Sequence, residues 1–284
     1  MNHKLFLALF FLTSLCQSQT PTDSTKSNTK KWNLTLEVMS RYVWRGQCWG
    51  GNYVAVQPTL EYSVNSKLKI GTWATHNFQS EYAYPDGTVY KGYQEIDLFI
   101  KYQWKKYLRF ELWDYYWPTI SNVEGIDNSY FNYRVNGTKT VDFTTVLDLS
   151  EVWLPFNATL STLVAGNDFR LDENGENPKQ NFTTYGEIGY SFINAFKKIS
   201  PKTLKNIDLY ANAGMVFNNQ AQYYSFADYD KPSLVNLSLK AERVFQLNDK
   251  WSLPIYLNYI HNGATKNTEA FGKNFWVFGA KLKY

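Results

Sequence analysis

The chain has 284 residues, and its 29 basic and 25 acidic residues leave a formal net charge of +4 at pH 7. This balance is too even to indicate a nucleic-acid-binding protein. Aromatic residues make up 18% of the sequence, a share that favours β-structure and membrane-interface girdles over the core of a helical enzyme.

The N-terminal residues 1–18 have the pattern of a secretory signal peptide. Lys4 precedes the apolar run 5–12, and Cys16-Gln17-Ser18 has the small-x-small spacing of a signal peptidase site. We therefore expect cleavage before Gln19. Lipidation of Cys16 is the alternative, which the preceding leucine disfavours because a small side chain is expected at that position.

Residues 19–31 are rich in Thr, Ser and Lys and lack periodicity, which predicts a flexible periplasmic leader. Beyond residue 18 no apolar run approaches the roughly 20 residues that a membrane-spanning helix needs. Removal of the signal peptide would leave Cys48 as the only remaining cysteine in the sequence. This excludes an intramolecular disulfide and a CxxC metal site and predicts an incidental free thiol in a loop.

From residue 32 onward, apolar and polar residues alternate with the period of two that is typical of strands with one apolar face. The first predicted strand, 32–45, places Leu34 and Trp44 on one face and Glu37, Arg41 and Arg45 on the other. Turn signals separate eleven further strands, which we predict over 54–64, 68–75, 95–104, 108–113, 141–154, 156–166, 182–193, 207–217, 234–245, 251–261 and 274–284.

Twelve is an even number, and most of these segments have about the ten residues that a tilted strand needs to cross the hydrocarbon layer. Residues 32–284 are therefore predicted to form an all-β, antiparallel, up-and-down transmembrane barrel. Short connections such as 65–67 alternate with long ones such as 118–140, which predicts periplasmic turns, long outer loops and both termini in the periplasm. The connection 194–206 is long for a periplasmic turn and leaves the register there open.

The last strand ends on an aromatic residue, Tyr284, at the end of an amphipathic segment. This ending resembles the C-terminal signal that the outer-membrane assembly machinery reads. The alternative is that the closing strand simply ends there.

Three segments carry a family resemblance. Ser40-Arg41-Tyr42-Val43-Trp44-Arg45-Gly46 is followed by Gln57-Pro58 and then by Leu68-Lys69-Ile70-Gly71-Thr72-Trp73-Ala74-Thr75. The sequence resembles the TorF-type porin family of Gram-negative outer membranes, which has a Tyr-Val-aromatic-Arg-Gly segment and a later Gly-x-Trp-Ala-Ser. Thr75 replaces that serine. The resemblance implies a barrel more directly than it implies a substrate.

Charged residues of both signs fall on the face predicted to point inward, and Asp148, Glu187 and Asp208 fall there too. The predicted pore-lining residues are Glu37, Arg41, Arg45, Glu61, Lys69, Glu95, Asp97, Lys101, Arg109, Glu111, Lys240 and Glu242. Opposed acidic and basic walls would orient polar solutes in a constriction. Alternatively, salt bridges between strands close the lumen, because twelve strands leave a narrow interior.

Aromatic clusters lie at predicted strand ends and loops, and we interpret them as the interface girdle of a barrel. The alternatives are stacking platforms for sugars or a hydrophobic transport path. The clusters consist of Trp113, Tyr115, Tyr116, Trp117, Tyr223, Tyr224, Phe226 and Tyr229.

No enzyme, cofactor or metal site is predicted. The mature chain has His76 and His261 as its histidines, and nothing marks Ser233 or Ser252 as a nucleophile beside them. The acidic loop 168–176 has oxygens that suit a hard cation, but its spacing departs from an EF-hand, which favours a solvated loop.

The sequence thus predicts an outer-membrane, porin-like channel for passive diffusion of small polar solutes. The alternatives are a closed structural or adhesive barrel that acts through its long extracellular loops, or an outer-membrane enzyme. The expected partners are outer-membrane lipid and lipopolysaccharide, the assembly machinery through the Tyr284 strand, and small polar solutes, with no nucleic acid.

Overall fold

The computed structural model describes residues 31–78, 82–83, 89–90, 92–118, 124–152, 154–174, 176, 178–198, 204, 206–221, 223–224, 233–264 and 272–284. The predicted signal peptide and nearly all of the predicted leader lie outside these described residues.

Twelve antiparallel strands close into one barrel, which confirms the predicted fold class and strand number. The strands are β1 (Trp32–Met39), β2 (Ala55–Ser63), β3 (Leu68–Asn77), β4 (Gln94–Lys105), β5 (Leu108–Tyr116), β6 (Lys139–Asp148), β7 (Phe156–Gly166), β8 (Thr184–Phe192), β9 (Ile207–Val216), β10 (Ser233–Gln246), β11 (Ser252–His261) and β12 (Asn274–Lys283). Each pairs with the next along the chain, and β12 closes on β1, with Thr35 opposite Lys283 and Met39 opposite Gly279.

The alternation in the sequence determines which face of each strand points outward. On β1, Leu34, Leu36 and Val38 are 42%, 42% and 43% exposed on the outside of the barrel. Glu37, between them, points inward and accepts a hydrogen bond from Tyr256 of β11 at 2.7 Å. An apolar outer face and a polar inner face are typical of barrels surrounded by lipid.

The barrel has two dissimilar rims. We call the rim where β1 begins and β12 ends the terminal rim, and the opposite one the loop rim. The terminal rim holds the connections 64–67, 106–107, 149–155, 193–206 and 247–251, and the loop rim holds 40–54, 78–93, 117–138, 167–183, 217–232 and 262–273. Asparagine side chains close two of the tight turns. Asn65 accepts from the N–H groups of Lys67 and Leu68, and Asn248 accepts from those of Lys250 and Trp251.

Two strands end six residues before the predicted position. The first strand stops at Met39 instead of continuing to residue 45, because Ser40 bonds to Phe278 of β12 and the chain then turns into the lumen. The strand predicted over 141–154 stops at Asp148, whose carboxylate caps a short 3₁₀ helix, Leu149–Glu151. The first segment keeps its alternation through Tyr42 and Trp44, past the end of the strand.

The register around 194–206, which the sequence left open, is continuous across the β8–β9 hairpin. Phe192 pairs with Leu209, and the Asn194 N–H donates to the Asp208 carboxylate at 2.8 Å. Among the residues that the structure describes, no helix is long and apolar enough to cross a membrane.

Candidate solute site in the barrel lumen

The first connection at the loop rim folds into the barrel as a hairpin. Val43-Trp44 pairs with Gln47-Cys48, and the two residues between them, Arg45 and Gly46, have φ values of +47° and +81°. Positive φ at both central positions is the signature of a type I′ turn, which favours glycine at the second position. We call residues 40–51 the inner hairpin.

The inner hairpin crosses the lumen. At its tip, Gly46 approaches β10 so closely that an added Cβ would lie 1.8 Å from the Val235 carbonyl oxygen. The Asn262 side chain donates to the Gly46 carbonyl at 2.9 Å, and Arg45 reaches Asp142 on β6. Because β6 lies nearly opposite β1 in the closed strand order, the hairpin spans the interior from one wall to the other.

Asp142 anchors the tip of the hairpin from the far wall. Its carboxylate has no solvent exposure and accepts from Arg45 Nη2 and from the Tyr115 hydroxyl, both at 3.0 Å. The hydroxyls of Ser161 and Thr144 also donate to it, at 2.6 and 2.9 Å. This set of donors satisfies the buried carboxylate, as a charge removed from water requires.

The Arg45 guanidinium is enclosed on its remaining sides by aromatic groups. Its Nη1 donates to the Tyr224 hydroxyl at 2.9 Å, and its carbon lies 4.4 Å from the Trp44 ring centroid and 4.8 Å from that of Tyr185. The Tyr185 and Tyr224 rings stack in parallel at 5.6 Å, and Trp44 stacks on Tyr224 at 5.4 Å. The ion pair with Asp142, the cation–π contacts and the ring stacking together hold the tip of the inner hairpin in one position.

A second cluster lies between the hairpin and strands β3 to β5. Glu95 Oε2 accepts from the Tyr93 hydroxyl at 2.9 Å and from that of Tyr42 at 3.4 Å. Tyr42 also packs against Trp73, with ring centroids 5.6 Å apart, and Trp49 stacks on Tyr93 at 6.4 Å. These contacts join the base of the hairpin to the near wall.

Above the hairpin, toward the loop rim, lies a cavity of about 230 Å³. We call it the aromatic cavity, because seven aromatic side chains line it. These are Tyr42, Trp44, Trp49, Tyr93, Tyr115, Trp117 and Tyr223. Glu95 and Thr138 supply polar groups to the same wall.

Between the hairpin and the terminal rim, charged side chains line the lumen and pair with one another. Glu61 accepts from Lys69 at 2.8 Å and from Lys101 at 3.2 Å, and Lys281 donates to Glu37 at 2.7 Å. Arg109 pairs with Glu111, and Lys240 with Glu242. The basic members are 21–44% exposed, so solvent screens these pairs and lowers their contribution to stability.

The predicted pore-lining residues thus fall into three groups. Eight form the ion pairs of the terminal-rim half, and Glu95 and Asp97 are buried beside the hairpin. Arg41 and Arg45 belong to the hairpin, so the expectation that they share a strand face with Glu37 is wrong. Their role in lining a pore stays a prediction.

The girdle interpretation is wrong for most of the aromatic clusters. Trp113, Tyr115, Tyr223 and Tyr224 point into the barrel, where Tyr224 is 1% exposed and Tyr115 bonds to Asp142. Phe226 and Tyr229 lie outside the described residues. One local signal could have indicated this arrangement, since Arg45-Gly46 between alternating residues is compatible with a two-residue hairpin turn.

The residues considered for catalysis point in different directions. His261 lies on the outer face of β11 beside Asn274, at 2.8 Å, whereas Ser233 is buried inside, and Ser252 lies at the other end of β11.

Asp168, expected in a solvated loop, is fully buried and accepts from the N–H and hydroxyl of Thr183. In the part of the chain that the structure describes, no group of three potential metal ligands comes together.

Cys48 is a free thiol in the connection between β1 and β2, and its side chain is buried. It is 3% exposed on the inner hairpin, and its Sγ donates to the Gly51 carbonyl at 3.3 Å. Burial raises the pKa of the Cys48 thiol to about 12.

Residues 24–198 match the family described as "Bacterial protein of unknown function (Gcw_chp)". No curated protein matches the chain. Among solved structures, it is similar to the "KdgM porin" (6% identity, 89% of this chain and 98% of that chain, TM-score 0.43). It is also similar to "LpxR from Salmonella typhimurium", with 9% identity over 89% of this chain and 99% of that chain and a TM-score of 0.45. A third similar structure is the OmpF of Salmonella typhi, with 6% identity over 90% of this chain and 97% of that chain and a TM-score of 0.38. Such low identities and TM-scores indicate nothing about what this chain binds or transports.

Proposed function

This chain belongs to the Gcw_chp family of bacterial proteins of unknown function, and we propose that it is an outer-membrane channel of TorF type for small polar solutes. The observation that carries the proposal is the inner hairpin, which crosses a barrel lumen that has an aromatic cavity on one side and charged walls on the other. A loop folded into a barrel narrows the passage and sets which solutes can pass.

The location in the outer membrane is supported by the outer surface. Exposed apolar side chains such as Leu36, Leu98 and Leu239 follow each other around the barrel, where water would leave them unfavourably hydrated. Long connections at one rim and mostly short ones at the other support an orientation with the terminal rim, and hence both termini, in the periplasm.

The charged walls support transport of polar solutes. Opposite charges face each other on nearby strands of the lumen. Glu61 pairs with Lys69 and Lys101, and Glu37 pairs with Lys281. Such pairs keep the interior hydrated and produce a transverse field that orients dipolar solutes.

Planar-bilayer recording tests the channel. The Arg45→Ala variant loses the ion pair and the cation–π contacts that hold the hairpin tip, so we expect a larger single-channel conductance than that of the wild type. Ser66→Ala, in a tight turn at the terminal rim, is the control and should conduct like the wild type. Absence of conductance from both the wild type and Arg45→Ala, with folded protein in the bilayer, would reject a channel.

A closed barrel that acts through its outer loops is the second candidate. It is favoured by the anchoring of the hairpin to the far wall through Asp142 and Asn262, which occludes part of the lumen. Liposome-swelling assays with small sugars separate the two, because a closed barrel gives no swelling and a channel gives swelling that falls with solute size.

A further inference from the structure

The aromatic cavity has an unusual combination of lining groups. Its rings stand at different angles, with Trp117 edge-on to Tyr223 at 5.3 Å and Trp49 edge-on to the same ring at 6.4 Å. Among the described residues that line the cavity there is no lysine, arginine or histidine, and the one ionisable carboxylate is Glu95. Ring faces carry negative electrostatic potential, so this wall attracts cations and repels anions.

The carboxylates behind this wall lack a cationic partner. Within the described part of the chain, neither Glu95 nor Asp97 forms an ion pair, although they are 7% and 2% exposed. Two other buried carboxylates have a cationic partner, since Asp142 pairs with Arg45 and Glu111 with Arg109, whereas Asp168 accepts hydrogen bonds from Thr183. Arg45 is near the cavity wall, but Asp142 balances its charge.

A polar group in the same cavity has no partner. Thr138 is 3% exposed and lines the cavity, yet its Oγ1 forms no hydrogen bond with any described residue. A buried hydroxyl without a partner costs free energy, which a ligand hydroxyl or a water molecule would recover.

We propose that the aromatic cavity binds a small organic cation with a quaternary ammonium group and a short polar arm. The rings of Trp49, Tyr93 and Tyr223 enclose the ammonium group, Glu95 supplies the opposing charge, and Thr138 bonds to the polar arm. The volume of about 230 Å³ is below that of pockets for drug-sized ligands and suits a molecule of the size of choline. The proposal deepens the proposed channel function, because the cavity would be the first binding site that a solute meets at the loop rim.

Titration with choline chloride tests the proposal, with tryptophan fluorescence or calorimetry as the readout. The matched probe is 3,3-dimethylbutan-1-ol, which has the shape of choline and no charge. We expect saturable binding of choline and binding of the alcohol weaker by about tenfold, the factor that cation–π contacts in a desolvated site provide. Equal binding of both probes, binding of glucose or acetate in place of choline, or no binding of choline would overturn the proposal.

Two variants locate the site. Glu95→Gln removes the charge and keeps a side chain that can still accept from Tyr93, so we expect choline to bind about tenfold more weakly, because the attraction between carboxylate and cation is lost, while the barrel stays folded. Glu173→Gln removes an equal charge from an exposed position in a loop-rim connection and should bind like the wild type. An equal loss in both variants would show a general effect of surface charge and would reject the site. Conductance in potassium chloride, recorded in parallel, tests the channel separately, because a channel without choline binding still conducts.

Discussion

At the scale of single residues, the contacts that Arg45 makes in the lumen depend on the exact chemistry of its side chain. Its planar guanidinium donates in two directions, to Asp142 and to Tyr224, while its faces meet the rings of Trp44 and Tyr185. Lysine would provide one point charge and no planar face, so it could not make this set of contacts. The fully buried Asp142 requires such a partner, since an unpaired charge in its place would be strongly destabilising.

Cys48 should be unreactive in the folded protein. Burial raises the pKa of its thiol to about 12, so very little thiolate is present at pH 8, and its sulfur is also shielded from solvent. We expect no labelling of the native protein by maleimide over the time in which an exposed thiol reacts completely, and full labelling after heating in detergent. Ser66→Cys in the exposed terminal-rim turn is the positive control. Rapid labelling of Cys48 in the native wild type would show that the hairpin leaves the lumen.

At the scale of elements, the inner hairpin is a loop held by its tip and its base. The tip is anchored by Arg45 and by the close contact of Gly46 with β10, and the base by Tyr42 against Trp73 and Glu95. The residues between them, including Gln47, are buried without being part of the barrel wall. Release of the tip would therefore free the hairpin without breaking a strand pair of the barrel.

Gly46→Ala tests this anchoring directly. A Cβ at this position would lie 1.8 Å from the Val235 carbonyl oxygen, so the tip must leave its place, and we expect the buried Cys48 to become reactive. The matched control is Gly125→Ala, because Gly125 has a φ of +82°, nearly that of Gly46, and no atom within 4 Å of an added Cβ. Both variants carry the backbone strain of about 1 kcal/mol for alanine at positive φ. Equal thiol reactivity in the two variants would contradict the role of the tip contact.

At the scale of the whole molecule, the barrel is a closed ring in which no strand edge is left unpaired, since β12 pairs with β1. Closure gives each of the twelve barrel strands a hydrogen-bonded neighbour on both sides, which the proposed position in a lipid bilayer would require. The apolar side chains that would form the core of a soluble protein are on the outside here, and aromatic and charged groups fill the interior.

A charge on the outer face should destabilise the barrel according to its depth. Leu36 lies in the middle part of β1, so we expect Leu36→Arg to lower the free energy of unfolding by about 2–4 kcal/mol in phospholipid vesicles. Val64→Arg, in the turn after β2, should cost only about 0–1 kcal/mol, because it lies near the interface. Urea unfolding followed by tryptophan fluorescence measures both. Similar losses in the two variants would mean that lipid does not surround this face.

The sequence by itself determined the barrel wall. Strand number and the outward and inward faces follow from an alternation of period two, which depends only on neighbouring residues and the pleat of the backbone. The inward position of Glu37, Glu61 and Lys101 followed from this rule without knowledge of their partners.

Only the tertiary structure decided what fills the lumen. The alternation of β1 continues through Tyr42 and Trp44, so a local rule extends the strand to a point where the chain has already turned inward. The turn is stabilised by contacts that are distant in the sequence, from Ser40 to Phe278, Gly46 to Asn262 and Arg45 to Asp142. A local pattern cannot report such contacts, because they exist only after the strands have closed around the hairpin.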